Sequence, residues 1–187
     1  MFFMPVTRCE WGNTNNKVYR KYHDEEWGKL NLDNQYLYEM LVLESFQSGL
    51  SWEIILNKRA GFHKAFANFD YHQVAQFGDK DIQRLMQDKE IIRNKMKIEA
   101  AINNAQAIVK LEKKGISFAN FLKQYIPKIV VDHPKTMYDV PAKSTLSEDL
   151  AKEMKKAGFK FVGPVTIYSF LQAVGLINDH LDSCSFK

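Results

Sequence analysis

Glu44 is the residue with the clearest chemical potential in this sequence, because it interrupts an apolar helical stripe in residues 36–52. Steps of three and four from Leu37 reach two more apolar residues, and a step of seven reaches Glu44, so its carboxyl group is predicted to point inward. Gln47 and Ser48 continue that face. Burying an unpaired carboxylate costs roughly several kcal/mol. The pattern therefore indicates a buried Lys or Arg partner, a raised pKa or a polar ligand pocket.

Aromatic side chains are concentrated in the same part of the sequence. They are Trp11, Tyr19, Tyr22, Trp27 and Trp52. Residues of this type often belong only to the core. However, aromatic faces also stack on flipped bases, and each can attract a cation by roughly 0.5–2 kcal/mol. An inward acid among such rings is typical of a site for a positively charged heterocycle.

A second group of residues has the side chains of a metal site. Cys9 and His23 lie near the start of the chain, and His180 and Cys184 lie near its end. The latter two are four residues apart, so they are predicted to share a helix face. Two thiolates and two imidazoles fill a tetrahedral zinc site and leave no position for water, so such a site would be structural. The alternative is that the thiols are free and buried and the histidines lie on the surface.

Lysines surround a short hairpin late in the chain. The hairpin is GFKFVG, residues 158–163, and the lysines are Lys152, Lys155, Lys156 and Lys160. Pro164 stands at a helix-start position directly after it. The first backbone amides of the following helix and the nearby lysines would together bind a phosphate. The alternative is an ordinary helical hairpin with a solvated lysine face.

These groups are positioned by segments that are almost all helical in pattern, so we predict an all-α fold. The expected order is a short aromatic helix near residues 19–23, a helix ended by Gly49, a helix capped by Ser51, a turn of aromatics over 61–66, two brief helices capped by Asp70 and Asp79, a long helix over 91–114, a short helix over 117–125, an irregular connection over 126–145, and a helix, hairpin and helix from Ser147 to Gly175. No alternating strand pattern is present.

Composition limits the class of protein. The chain has 187 residues, 45% of them hydrophobic, and a formal net charge of +4, which is enough for one folded unit and permits an anionic partner. With only two cysteines it is not a disulfide-rich secreted scaffold. The opening MFFMP lacks the features of a secretion signal, and no apolar run approaches membrane-spanning length. We expect a soluble cytoplasmic protein with no membrane partner.

Five ordered motifs, spanning nearly the whole chain, resemble the DNA-3-methyladenine glycosylase I family. They are Cys9-x-Trp11, Tyr22-His23-Asp24-x-Glu26-Trp27-Gly28, Leu43-Glu44-x-x-Gln47-x-Gly49-Leu50-Ser51-Trp52, GFKFVG, and Gly175-Leu176-x-Asn178-Asp179-His180. The resemblance implies a helix-hairpin-helix glycosylase fold with two helical lobes around a base-binding cleft. It also implies one glycosylase unit over 1–187, a monomer, with its terminal segments tethered by structural zinc.

The resemblance further implies roles for individual residues. Glu44 would be the catalytic, base-binding acid; the zinc ligands would be Cys9, His23, His180 and Cys184; the pocket aromatics would be Trp52, Tyr22, Tyr19 and Trp11; and the DNA contacts would be Leu50, Lys160, Gly163 and Thr166. Phe46 and Ser48 depart from the family pattern and are expected to reshape the pocket floor. Asp179 and Asp182 lie where many helix-hairpin-helix glycosylases place a catalytic Asp, but the resemblance argues against either.

The expected reaction is release of free 3-methyladenine from alkylated double-stranded DNA. A base methylated at N3 is cationic and leaves readily, so water would attack the sugar carbon and leave an abasic site without strand cleavage. The alternative is a non-catalytic helix-hairpin-helix module that only binds DNA. A binding protein for small cationic heterocycles is a third reading.

Overall fold

The computed structural model describes residues 6–187, so the expectation about the opening MFFMP concerns residues outside the described range. Ten α-helices carry the fold: α1 Lys17–Glu25, α2 Asn34–Gln47, α3 Trp52–Asn57, α4 Arg59–Ala65, α5 Tyr71–Val74, α6 Asp79–Gln87, α7 Lys95–Glu112, α8 Phe118–Tyr125, α9 Thr145–Lys156 and α10 Pro164–Ala173. Single 3₁₀ turns occupy Glu10–Gly12, Ala67–Phe69 and Met137–Asp139. The all-α prediction is confirmed. Within the described residues, no helix has both the length and the apolar character needed to cross a bilayer.

Helix α2 is the centre of the fold. It contacts α3, α7, α8 and α10, and every residue from Leu37 to Phe46 is buried. The prediction that only one face of α2 is buried was therefore wrong, because neighbouring helices cover α2 on all sides. Helices α3 to α6 lie with α7 to one side, and α8 to α10 pack on the other, which gives two helical lobes with a cleft between them.

Local signals fixed most helix ends. The Ser51 hydroxyl accepts the Ile54 amide at the start of α3, and the Asp70 carboxylate accepts two amides at the start of α5, both as predicted. Gly49 follows α2 with a φ of +83°, a conformation that glycine adopts at low cost. Pro164 is the first residue of α10, as predicted.

Four boundary predictions were wrong. Residues 61–66 are not a turn, since most of them belong to α4. The α6 cap is Gly78 rather than Asp79, and α7 begins at Lys95 after an irregular stretch. Helix α9 is capped by Ser144, whose hydroxyl accepts the Ser147 amide, so Ser147 is the third residue inside the helix rather than its start.

Two very short strands were not predicted. Val130–Val131 (β1) pairs in parallel with Ile177–Asn178 (β2), with Val130 opposite Ile177. Two residues are too few to show an alternating pattern. The pairing joins the otherwise irregular 126–145 connection to the segment after α10, and this brings Met137 and Val140 to the cleft.

Candidate functional site: an acidic aromatic cavity

A cavity of about 230 Å³ opens in the cleft between the lobes. Its walls come from α1 and the turn after it, α2, α3, α10, the first 3₁₀ turn and the 126–145 connection. The lining residues are Trp11, Tyr19, Tyr22, Trp27, Glu44, Gln47, Trp52, Met137, Val140, Ser169 and Gln172. The acid and the five aromatic residues singled out in the sequence therefore meet in one place.

Glu44 lies on the cavity wall with only 5% of its surface exposed. Among residues 6–187, no Lys, Arg or His lies within salt-bridge distance of its carboxyl group. Arg59 binds Glu39 at 2.7 Å and Glu26 at 2.9 Å instead. The predicted alternative of a buried cationic partner is therefore wrong. Burial raises the pKa of Glu44 to about 8, so the carboxyl group is mostly protonated at neutral pH when no ligand is bound.

The aromatic rings surround this acid but are not parallel. The Tyr22 and Trp52 centroids are 5.3 Å apart with planes at 59°, whereas a base sandwiched between two rings needs roughly 7 Å between their planes. One ring can stack on a base while the other contacts its edge. The Tyr22 hydroxyl and the Trp52 indole N–H are both buried without a hydrogen-bond partner in the described residues. Buried polar groups are normally paired, so both donors are available to a ligand in the cavity.

Two polar residues on α10 also face the cavity and were missed in the sequence. Ser169 and Gln172 line its wall, three residues apart on one face of a mainly apolar helix. That spacing is the same signal that identified Glu44, and it could have found them. Met137 and Val140 gave no comparable signal, because their segment is irregular.

Asp179 is buried but does not line the cavity. Its Oδ2 atom accepts two hydrogen bonds, one from the Tyr168 hydroxyl at 2.7 Å and one from the Gln172 side-chain amide at 2.6 Å. Asp182 lies at the surface beside Lys187 and His133. Neither carboxylate is placed to meet a base in the cavity, in agreement with the expectation that neither is the catalyst.

Phe46 and Ser48 do not form the pocket floor, so that expectation was wrong. The Phe46 ring packs edge-on against Phe62 at 4.8 Å within the core, away from the cavity. Ser48 is the exposed cap of α2, and its carbonyl accepts a hydrogen bond from Lys97. Neither side chain lines the cavity, and the carbonyl groups of both residues bind Lys97 at the end of α2.

The cysteine and histidine residues from the two ends of the chain come together. One ligand atom from each of Cys9, His23, His180 and Cys184 lies within 4.8 Å of the others. Sγ of Cys184 is 3.3 Å from Nδ1 of His180 and 3.8 Å from Nε2 of His23, and Sγ of Cys9 is 3.5 Å from Nδ1 of His180. The prediction that His180 and Cys184 share a helix face was wrong, since this segment is irregular.

The surroundings of this cluster suit a metal ion. Nδ1 of His23 is 2.8 Å from the Asp24 carboxylate, and Nε2 of His180 is 2.9 Å from the Trp27 carbonyl oxygen. Each contact leaves the other ring nitrogen free to point into the cluster. Burial lowers the pKa of both histidines and raises the pKa of Cys9 to about 11. Burial therefore favours the neutral form of both imidazoles, and the cluster could bind a metal that stabilises the thiolates.

The hairpin after α9 presents part of the predicted DNA surface. Lys160 is exposed, Gly163 caps α10, and Thr166 is half-buried in its first turn. Lys152 pairs with Asp149 and Lys156 with Glu153. Within the described chain, Lys155 and Lys160 are the two of the four predicted lysines that have no ion pair, and the prediction that this group binds a phosphate stays a prediction.

These features define an all-helical protein in which a helix-hairpin-helix element accompanies an acidic aromatic cavity. The "Methyladenine glycosylase" family model matches residues 11–187. A DNA-3-methyladenine glycosylase from Haemophilus influenzae is 40% identical over 183 residues, which cover 97% of this chain and 98% of that protein. The chain belongs to the methyladenine glycosylase family.

Solved structures agree with this assignment. A crystal structure of 3-methyladenine DNA glycosylase I has a TM-score of 0.93 and 40% identity, over 96% of this chain and 98% of that one. A tyrosine-to-phenylalanine variant of 3-methyladenine DNA glycosylase I, in complex with 3-methyladenine, has a TM-score of 0.92 and 39% identity, over 96% and 97% of the two chains.

Proposed function

We propose that this protein is a DNA repair glycosylase that releases 3-methyladenine from alkylated double-stranded DNA. The observation that carries the proposal is Glu44, a buried carboxyl group with no ion-pair partner in the described chain, on the wall of an aromatic cavity. A relative of the same fold, 39% identical, was solved in complex with 3-methyladenine. An acid whose charge is costly when the cavity is empty favours a ligand that brings a positive charge.

The cavity residues divide the recognition of a cationic base between them. Glu44 loses its proton to accept a charge-assisted hydrogen bond from the base edge. One face of the base stacks on Trp52 or Tyr22, and Tyr19 and Trp11 close the aromatic wall. The unpaired Tyr22 hydroxyl and Trp52 N–H supply hydrogen bonds that the protein itself leaves unused.

The DNA is held beside the cavity while the base rotates into it. Lys160 and the free amides of α10 after Gly163 bind a phosphate, and Thr166 adds a hydroxyl in the same first turn. Leu50 lies on the loop between α2 and α3, half-buried against the core. It fills the space that the flipped base leaves in the stack.

The chemical step needs little help from the protein, because a cationic purine is already a good leaving group. Glu44 stabilises the positive charge as the bond to the sugar lengthens, and water then attacks the sugar carbon. Within the described residues, no lysine lines the cavity, so no amine is in place to form a Schiff base. The product is free 3-methyladenine and an abasic site, with no strand cleavage.

We further propose that the terminal cluster holds a structural zinc ion. Three of the donor separations, at 3.3–3.8 Å, are close to the edges of a tetrahedron built from Zn–S and Zn–N bonds of roughly 2.3 and 2.0 Å, and all four donors lie within 4.8 Å of one another. With four protein ligands, an ion bound there would be held by Cys9, His23, His180 and Cys184 and would tether the two terminal segments to each other. A structural ion of this kind stabilises the fold and has no part in catalysis.

The test is to incubate the protein with methylated duplex DNA and measure free purines by chromatography. We expect release of 3-methyladenine and abasic sites in equal amounts. The Glu44→Gln variant should release the base roughly 10²-fold more slowly, since a charge-assisted hydrogen bond contributes roughly 1.5–3 kcal/mol, while its affinity for undamaged DNA stays the same. Glu25→Gln, an exposed acid on α1, is the control. If the wild-type protein binds DNA but releases no base, it is a DNA-binding module and the proposal is wrong.

A further inference from the structure

Two buried polar side chains on one face of α7 bind the backbone of the two loops that the proposed function assigns to DNA. The loops are the 48–51 loop, which carries Leu50, and the 158–163 hairpin, which carries Lys160. The side chains are Lys97 and Asn104, which are 7% and 1% exposed. They are seven residues apart, or two helical turns and roughly 10 Å along the axis.

Lys97 anchors the loop that carries Leu50. Its ammonium donates hydrogen bonds to the Phe46 carbonyl at 2.9 Å and the Ser48 carbonyl at 2.6 Å. These carbonyls belong to the end of α2, where the helix supplies no further partners. Among residues 6–187, no carboxylate lies within salt-bridge distance of Lys97. Burying a cation whose only partners are two carbonyl groups is costly. This cost indicates that the position of the 48–51 loop is important for function.

Asn104 anchors the hairpin by hydrogen bonds to both the backbone amide and the backbone carbonyl of Lys160. Its side-chain oxygen accepts the Lys160 amide at 2.8 Å, and its side-chain nitrogen donates to the Lys160 carbonyl at 3.0 Å. The next residue, Phe161, has a φ of +55°, a conformation that is unfavourable for a residue other than glycine. Such a conformation persists only where neighbouring contacts fix it, and Asn104 provides two of them.

We infer that Lys97 and Asn104 are positioning residues that hold the 48–51 loop and the hairpin at a fixed separation on α7, so that both meet duplex DNA in one binding step. This inference rests on the proposed function. Neither residue lines the cavity, so neither touches the base. With the loops already placed, less ordering is needed when DNA binds, and the affinity for DNA is higher.

The experiment separates DNA engagement from base binding. Lys97→Met and Asn104→Ala should each raise, by about tenfold, the DNA concentration that half-saturates single-turnover release of 3-methyladenine, with the saturating rate within threefold of wild type. Binding of free 3-methyladenine, followed by tryptophan fluorescence, should stay within twofold. Lys97→Arg keeps donors and charge, and should restore most of the DNA affinity.

Gln106→Ala is the matched control, because Gln106 is also on α7 and also donates a side-chain amide hydrogen bond to a backbone carbonyl, that of Ala75. It should leave both measurements unchanged. The double variant of Lys97 and Asn104 should be little worse than either single one, since freeing one loop already breaks the fixed separation.

Three results would overturn the inference: an unchanged half-saturating DNA concentration in both variants, an equal loss of free-base binding, or an equal effect of Gln106→Ala. If Asn104→Ala does not fold, Lys97→Met decides alone by the same criteria. A wild-type protein that releases no base would refute the proposed function instead, and the two failures are therefore distinguishable.

Discussion

Replacing Glu44 by Gln should make the protein more stable while it impairs the proposed activity. The carboxyl group has a pKa of about 8 in the folded protein against 4.5 in a model peptide, because it is buried. A group whose pKa is raised on folding binds more protons in the folded state, so stability is lost as the pH rises from 4.5 towards 8. At pH 7 this difference amounts to about 3 kcal/mol of lost stability.

The glutamine side chain has the same shape and no charge, so it removes this cost. Since the cavity is open to solvent on one side and can relax, we expect a gain of about 2 kcal/mol at pH 7–8, or about 4–8 °C in Tm for a chain of this length. At pH 4.5 the gain should nearly vanish, because the wild-type carboxyl group is then protonated when folded and about half protonated when unfolded.

The assay is urea unfolding of both proteins at several pH values between 4.5 and 8.5, with Glu25→Gln as the control for an exposed acid. The difference in unfolding free energy between wild type and Glu44→Gln should grow from near zero to its full value across that window. A difference that is independent of pH, or a variant that is less stable than wild type at pH 8, would refute the claim that Glu44 is buried without a counter-charge.

Other predictions follow from the remaining features. Chelation of the metal, or Cys184→Ser, should release about one zinc per chain and lower Tm by at least 10 °C, as measured by elemental analysis and calorimetry, whereas a protein purified without zinc and equally stable would exclude the proposed site. Lys160→Ala should reduce the slope of log DNA affinity against log salt by about one, and Lys152→Ala, which removes a lysine already paired, should reduce it less. Asp179→Asn should retain base release within about tenfold of wild type, because an oxygen there can still accept both hydrogen bonds; a complete loss in a folded variant would make this residue the catalyst. Affinity for DNA containing the cationic base should rise with pH up to about 8, since binding below that pH must displace a proton from Glu44.

How much of the fold could be predicted depended on whether the signal was local. The caps at Ser51 and Asp70 and the proline at the start of α10 act through hydrogen bonds or dihedral angles within a few residues, so the sequence revealed them. The aromatic run over 61–66 gave no comparable local signal, and in the fold Phe62 of α4 packs against Phe46 and Phe66. The β1–β2 pair joins residues 47 positions apart in the sequence, and its two-residue strands carry no periodic pattern.

The candidate site divides in the same way. Glu44 could be identified because it is a charged residue at a position that the helical period predicts to be buried. Such a residue needs a partner or a pocket that other parts of the fold supply. Its environment could not be read from the sequence, because the sequence does not show which carboxylates the buried cations reach; Arg59, for example, pairs with Glu26 and Glu39. Met137 reaches the cavity only because the long connection folds back over the cleft, which no short-range pattern encodes.

Under the proposed function, the lack of a counter-charge beside Glu44 in the described chain would let the cavity distinguish a damaged base. An acid already paired with a cation would be ionised permanently, and a cationic ligand would gain little from it. Burial instead keeps Glu44 mostly neutral, and its ionisation is costly until a positive charge arrives. A neutral adenine would not offset that cost, whereas an N3-methylated adenine would. The selection for alkylated bases would therefore originate partly from the burial of one unpaired acid rather than from the shape of the cavity alone.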